Sequence, residues 1–260
     1  MGVYVGRLSW SFRSARRGSA PGLGLAVLLI GSIMAISPAT ANGWLTRTTA
    51  AEPSKEVWAG AEVTASSWSA YSGIMIAPFG SLYANGWRIR AVGGYGAYAY
   101  SKYETTIHGD VSFADALIGY HLQLGALTLK AFGGITAEAH RLTPLDLENG
   151  LIGADVGAKA ALETWLEIGP QAWSSLDLSW SMIYGNTYAA RARAGYRIRP
   201  ELSLGLEGAV NGNAEYDGGR AGTFLRYTWS SGELSAGVGA SVDRSGESGG
   251  YGSLNALFRY

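Results

Sequence analysis

Residues Trp87–Ser101 read WRIRAVGGYGAYAYS, and this stretch decides the fold. Trp87, Ile89, Ala91, Gly93, Tyr95, Ala97 and Ala99 fall on one side of a period-two register, while Arg88, Arg90, Val92, Gly94, Gly96, Tyr98 and Tyr100 fall on the other. Strict alternation is the mark of a β-strand with two different surroundings. Here the apolar side begins on an aromatic residue, and the other side carries arginine, tyrosine or no side chain.

Reading outward, Tyr188–Arg199 repeats the pattern, with Tyr188, Ala190, Ala192, Ala194, Tyr196 and Ile198 set against Arg191, Arg193, Arg197 and Arg199. A soluble sheet has no need of four arginines in a row on one face. From residue 56 onward, alternating blocks predict strands at 56–66, 70–79, 86–101, 113–123, 127–138, 153–166, 174–184, 188–199, 202–211, 220–230, 233–243 and 250–260. Connections after the second, fourth, sixth, eighth and tenth blocks are mostly short. Longer polar ones follow the third, fifth and ninth, at Lys102–Ser112, Ala139–Ile152 and Gly212–Gly219.

An even number of alternating strands, with short turns at one end and longer loops at the other, predicts an all-β, antiparallel up-and-down transmembrane barrel of about twelve strands. The physical reason is hydrogen-bond closure: in lipid every backbone N–H and C=O needs a partner, which strands achieve only in a sheet without edges. Leu176, Leu178, Trp180, Met182 and Tyr184 then read as a lipid-facing row ending in interfacial aromatics. The final block closes on Leu254, Ala256, Phe258 and a terminal Tyr260, as in segments recognised by the barrel-assembly machinery. A β-sandwich shares the strand spacing. It would not explain arginine rows or aromatics at strand ends.

Composition narrows the function classes. Twenty basic and 20 acidic residues balance, which argues against nucleic-acid binding. With 38 glycines the chain is a poor helix former, and with no cysteine it is neither disulfide-stapled nor a thiolate metal protein. Residues 1–41 contain Arg7, Arg13, Arg16 and Arg17, no acid, and an apolar run from Leu23 to Ile36 that ends before Pro38. They predict a secretory signal peptide cleaved after Ala39-Thr40-Ala41. The expected organisation is a signal peptide at 1–41, a periplasmic segment at 42–55 and an outer-membrane barrel at 56–260 of a Gram-negative bacterium.

Gly86-Trp87-Arg88-Ile89-Arg90 and Tyr95-Gly96-Ala97-Tyr98-Ala99-Tyr100 carry a family resemblance, with Tyr71, Gly73, Ala77, Gly80 and Leu82 before them. It extends through Gly119-Tyr120, His140, Leu142, Pro144, Asp146, Gly153, Gly157 and Lys159. Further on come Tyr188, Ala190, Arg191, Arg193, Gly195, Tyr196, Gly205, Glu207, Gly212, Asn213, Tyr216 and Arg220. Over most of the chain beyond the leader, the sequence resembles the BcsS family of cellulose biosynthesis proteins, predicted outer-membrane barrels of cellulose-producing proteobacteria. The resemblance implies a non-catalytic accessory role in cellulose production or export. Its implied partners are outer-membrane lipids, the assembly machinery, and the cellulose synthase/export complex or cellulose itself. A general porin is the alternative, and a lipid-modifying enzyme a less favoured one.

No catalytic motif is present. His108, His121 and His140 form no metal-binding pair, there is no nucleophile elbow or phosphate loop, and neither a metal nor a cofactor is expected. Glu138, His140 and a loop serine are the one grouping that a lipid-cleaving site could use. The interior face is richer: Arg88, Arg90, Lys130, Lys159, Arg191, Arg193, Arg197, Arg199 and Arg226 meet Glu62, Asp115, Glu138, Asp155, Glu163, Asp177, Glu207, Glu233 and Asp243. These charges either brace the barrel across its lumen or line a pore, and bracing is the preferred reading because so narrow a barrel has many long side chains to place. Trp58, Tyr98, Tyr100 and Trp165 are candidate glucan-contacting aromatics, against a plainer role as core filler.

Overall fold

A computed structural model describes residues 52–243, 246 and 248–260. The expected signal peptide, and all but the last four residues of the segment at 42–55, lie outside the described residues. The described chain forms twelve strands: β1 (Lys55–Val63), β2 (Ser67–Ile76), β3 (Gly86–Lys102), β4 (Thr105–Leu124), β5 (Leu127–Thr143), β6 (Gly153–Ile168), β7 (Ala172–Ser181), β8 (Thr187–Arg197), β9 (Leu202–Gly212), β10 (Asp217–Trp229), β11 (Gly232–Asp243) and β12 (Ser248–Arg259). Each pairs antiparallel with its neighbours in sequence, and β1 pairs with β12 from Glu56↔Arg259 to Val63↔Gly252, so the sheet closes on itself.

Closure sorts side chains by parity. Ile118, Ile135, Leu206 and Val238 stand outward, 56–66% exposed, as part of an apolar surface too extensive for a protein surrounded by water. Aromatics bound that surface above and below. Trp87 and Tyr120 meet at 5.6 Å near the end where β1 begins and β12 finishes, the terminal end, and Trp68 and Tyr95 at 5.8 Å near the other. Trp87 and Tyr95 on β3, like Tyr196 and Tyr188 on β8, are eight residues apart, about 26 Å along a strand and about 20 Å along the axis at a ~40° tilt. That spacing fits the apolar band of an outer-membrane barrel.

The loops differ from the sequence expectation. The polar segment expected after β3 is strand: Ala97–Lys102 pairs residue for residue with Asp110–Thr105, and only Tyr103 and Glu104 make the turn. β5 likewise runs on to Thr143. Above the lipid the outward face of these strands meets water and becomes polar, with Ser101, Thr106 and His108, so the hydropathy alternation that marks a strand in lipid is lost. The β9–β10 connection shrinks to residues 213–216, and the longest described connections are 144–152, at the loop end, and 77–85, at the terminal end, where a short turn was expected.

Inward-facing glycines account for part of the glycine content. A Cβ on Gly195 would collide with the indole of Trp173, and one on Gly94 would lie 2.5 Å from the ring of Phe113. Each glycine leaves a recess into which a neighbouring strand lays an aromatic ring.

Candidate functional site in the barrel interior

The β3 register turns Arg88, Arg90, Tyr98 and Tyr100 inward, and the β8 register does the same for Arg191, Arg193 and Arg197. These side chains meet carboxylates on other strands. Glu207 on β9, its side chain 1% exposed, accepts bonds from Arg191 Nη2 at 2.5 Å, Arg193 Nε at 3.1 Å and the Tyr251 hydroxyl of β12 at 2.9 Å. Arg90 pairs with Glu163 on β6, and Arg220 on β10 with Glu62 on β1. Lys159 reaches Asp115 at 2.6 Å, Lys130 lies 3.8 Å from Glu56, and Arg259 lies 3.5 Å from Glu56. At the terminal end Arg226 bonds Glu233 at 2.5 Å and Arg197 bonds Glu167 at 2.8 Å. Six of these ten contacts skip one to three intervening strands, so they cut across part of the interior and tie non-neighbouring stretches of wall together.

Aromatic rings occupy the space between the ion pairs. Trp165 stacks on Trp173 with centroids 4.2 Å apart, and the Arg226 guanidinium lies 4.7 Å from the Trp165 ring. Arg90 sits between Trp58 at 5.2 Å and Phe132 at 5.3 Å, while Arg193 covers Phe224. Cation–π contact in a desolvated space adds to each charge pair. Trp58 and Trp165 therefore have faces already taken by protein groups. Tyr98 and Tyr100 stack at 6.3 Å, with the Tyr98 hydroxyl bonded to His140 and that of Tyr100 to Asp146.

Arg88 behaves differently from the other arginines. It is 2% exposed and donates to the carbonyls of Ser81 at 3.1 Å, Leu82 at 3.0 Å, Ala84 at 2.6 Å and Trp87 at 2.9 Å, with His121 Nδ1 at 3.1 Å. The 77–85 connection thus wraps around a guanidinium and inserts Leu82 into an apolar cluster with Met75, Leu117 and Phe132. At the other end the 144–152 loop is held by Lys102 and Tyr100 through Asp146, at 2.8 and 2.9 Å, and by Glu215 through the Gly150 amide. Leu151 packs there with Ile183 and Tyr184. The Lys102 ammonium beside Asp146 holds its carboxyl below the usual carboxylate range.

Of the other residues expected to face inward, Asp155 accepts bonds from the Val156 and Tyr184 amides, and Asp177 lies opposite Arg191 in the β7–β8 ladder. Arg199 is not in the interior: β8 ends at Arg197, and Arg199 is exposed in the following turn. Arg220, Arg259, Glu56 and Glu167 join the network although none was counted among the interior charges expected from sequence. Arg220 shares the parity of Arg226, which is the signal that could have found it. His140 bonds Glu138 at 2.7 Å through Nε2 and Tyr98 at 2.9 Å through Nδ1, so the hydroxyl beside it is a phenol and not a serine. Among the described residues no group of three or more His, Asp or Glu side chains is arranged to hold a metal ion.

The fold is similar to an outer membrane channel from Pseudomonas putida F1, at 10% identity, covering 87% of this chain and all of that one with a TM-score of 0.50. It is also similar to the KdgM porin, at 9% identity and a TM-score of 0.45 over 79% of this chain and 99% of that one. Acinetobacter baumannii Omp33 is a further relative in shape, at 12% identity, 80% and 99% coverage and a TM-score of 0.41. No curated protein matches in sequence. The family described as cellulose biosynthesis protein BcsS matches residues 56–260, the whole barrel apart from its first strand residue, and the chain belongs to that family.

Proposed function

We propose that the protein is a non-catalytic outer-membrane accessory of cellulose production, which anchors or docks the export machinery or its polymer rather than serving as an open pore. In this reading the leader is removed near Ala41, and the assembly machinery inserts the barrel into the outer membrane. One observation carries the choice of brace over pore. Ion pairs between strands that are not neighbours, Arg90–Glu163, Arg220–Glu62 and Lys159–Asp115 among them, and the buried cluster on Glu207 share the interior with stacked aromatics, and the two nine-residue connections are tied down at opposite ends by Arg88 and by Lys102 with Tyr100. Arg90, Arg191, Arg193, Arg197, Glu62, Lys159 and Glu207 act as struts, Asp155 fixes the β7–β8 turn, and Arg88 fixes the 77–85 connection.

Deleting the gene is expected to change cellulose deposition, while the purified protein in a planar bilayer passes little current. Unchanged cellulose together with altered small-solute permeability would instead make it a general porin. Loss of a lipid-modifying activity in His140→Ala would make it an enzyme.

A further inference from the structure

The β3–β4 hairpin projects past both neighbouring strands at the loop end, since β2 pairs with β3 only as far as Tyr98 and β5 with β4 only as far as His108. Tyr103 lies eight residues beyond Tyr95 of the upper aromatic girdle, about 20 Å above the apolar band at the tilt of such strands. It turns through Tyr103 and Glu104 with φ of 47° and 66°, the left-handed pair of a type I′ turn that Asn-Gly adopts without strain. A bulky residue in that conformation needs a reason. For Tyr184, φ 46°, the reason is visible: the ring is buried and its hydroxyl donates to the Glu138 and Gly153 carbonyls. Tyr103 is 87% exposed, so packing does not explain it.

The surroundings of Tyr103 are built rather than loose. Lys102 Nζ lies 6.0 Å from its ring centroid and also binds Asp146 at 2.8 Å and Glu148 at 3.0 Å. Between those two acids, Leu147 is 83% exposed, and Leu145 is 62% exposed. One lysine therefore links the turn that carries Tyr103 and Glu104 to the loop segment that carries Glu148 and the water-facing Leu145 and Leu147. The site is too high for acyl chains, and its carboxylates repel phosphates and acidic sugars. Apolar surface bordered by hydroxyl-accepting carboxylates suits a neutral polymer with C–H faces and hydroxyl edges, and β-linked glucose has both.

We propose that this summit, Tyr103 with Glu104 and the Leu145–Leu147 segment, binds a neutral β-glucan chain outside the membrane. The inference rests on the cellulose-related function proposed above, which supplies the polymer. Purified full-length protein in detergent micelles should sediment with insoluble cellulose and not with insoluble starch. In the double variant Tyr103→Asn, Glu104→Gly the bound fraction should fall at least tenfold, while the heat-modifiable gel shift persists and the unfolding temperature stays equal or rises. Tyr103→Trp should retain binding. Equal sedimentation of wild type and double variant, or none by wild type, would overturn the site even if gene deletion alters cellulose deposition. Cellulose binding by the purified protein with deposition unchanged on deletion would keep the site and overturn the cellular role.

Discussion

Tyr251 on β12 donates its phenolic hydrogen to Glu207 on β9 at 2.9 Å, across the two strands that separate them in the sheet. The same carboxylate accepts from Arg191 and Arg193 on β8, so one buried acid draws three strands of the wall toward a common point. Such a group stabilises only while every partner is present, because a buried charge left unmatched has lost its water and gained nothing in return.

Arg191→Glu is therefore expected to lower stability by about 3–5 kcal/mol, the usual cost of breaking a buried charged pair. The substitution places a second carboxylate beside Glu207. The measurement is the denaturant midpoint of refolded protein, together with bilayer current. A large drop with little current supports the brace. Unchanged stability with a new preference for cations would mean that the arginines line a water-filled pore.

The glycine–aromatic fits predict a second, uncharged sensitivity. A side chain on Gly195 collides with the Trp173 indole, which is 1% exposed and wedged between Trp165 and Phe224. Gly195→Val should destabilise the barrel by about 1–3 kcal/mol through overpacking, and Trp173→Ala by about 3–5 kcal/mol through a cavity. Combining the two should cost less than their sum, since the valine enters space that the indole vacates. A double-mutant cycle by denaturant unfolding checks this.

Much of this architecture could be read from alternation alone. Trp87–Ser101 and Tyr188–Arg197 assign inside and outside correctly, because a side-chain period of two leaves no third choice once one face is apolar, and the assignment fails at Arg199, where the strand has ended. Alternation failed where the surroundings changed. Thr105–Asp110 pairs as strand, but above the lipid its outward face is polar, so it read as loop. Partners were also beyond reach: that Arg90 meets Glu163 follows from closure and stagger of the whole barrel, which no single strand encodes. Leu82 likewise looked like a residue of a minor turn, since its burial depends on a guanidinium one strand-start away folding the connection inward.

That dependence can be tested directly. Arg88→Met keeps the length of the stem but removes the guanidinium donors to the carbonyls of Leu82 and Ala84, and one of the two donors to that of Ser81, which keeps the Ala84 amide. Each carbonyl left buried and unpaired costs about 1–3 kcal/mol, and the connection is expected to swing outward instead of accepting that cost. Limited proteolysis should then cut within 78–84 in the variant and much more slowly in wild type. Arg88→Lys should be cut as well, because one ammonium cannot replace a planar fork serving several acceptors. Equal protection in all three proteins would mean that Leu82 alone holds the segment.

The opposite end should respond to pH in a defined direction. The Asp146 carboxyl is held below its ordinary range, first by the hydrogen bond from Lys102 and then by that from Tyr100. A carboxyl whose folded value lies below its unfolded value stabilises the folded form fully above the unfolded value, and that stabilisation fades as pH falls through the folded one. Hydrogen exchange in the 144–152 loop should therefore be unchanged, after correction for its intrinsic rate, between pH 7 and pH 5, and protection should fall only below about pH 4. Asp146→Asn should remove that acid step and leave the loop less protected at pH 7, because the more buried of the two ionic partners of Lys102 is gone. If protection is instead lost between pH 7 and pH 5 in the wild type, Asp146 does not govern the loop.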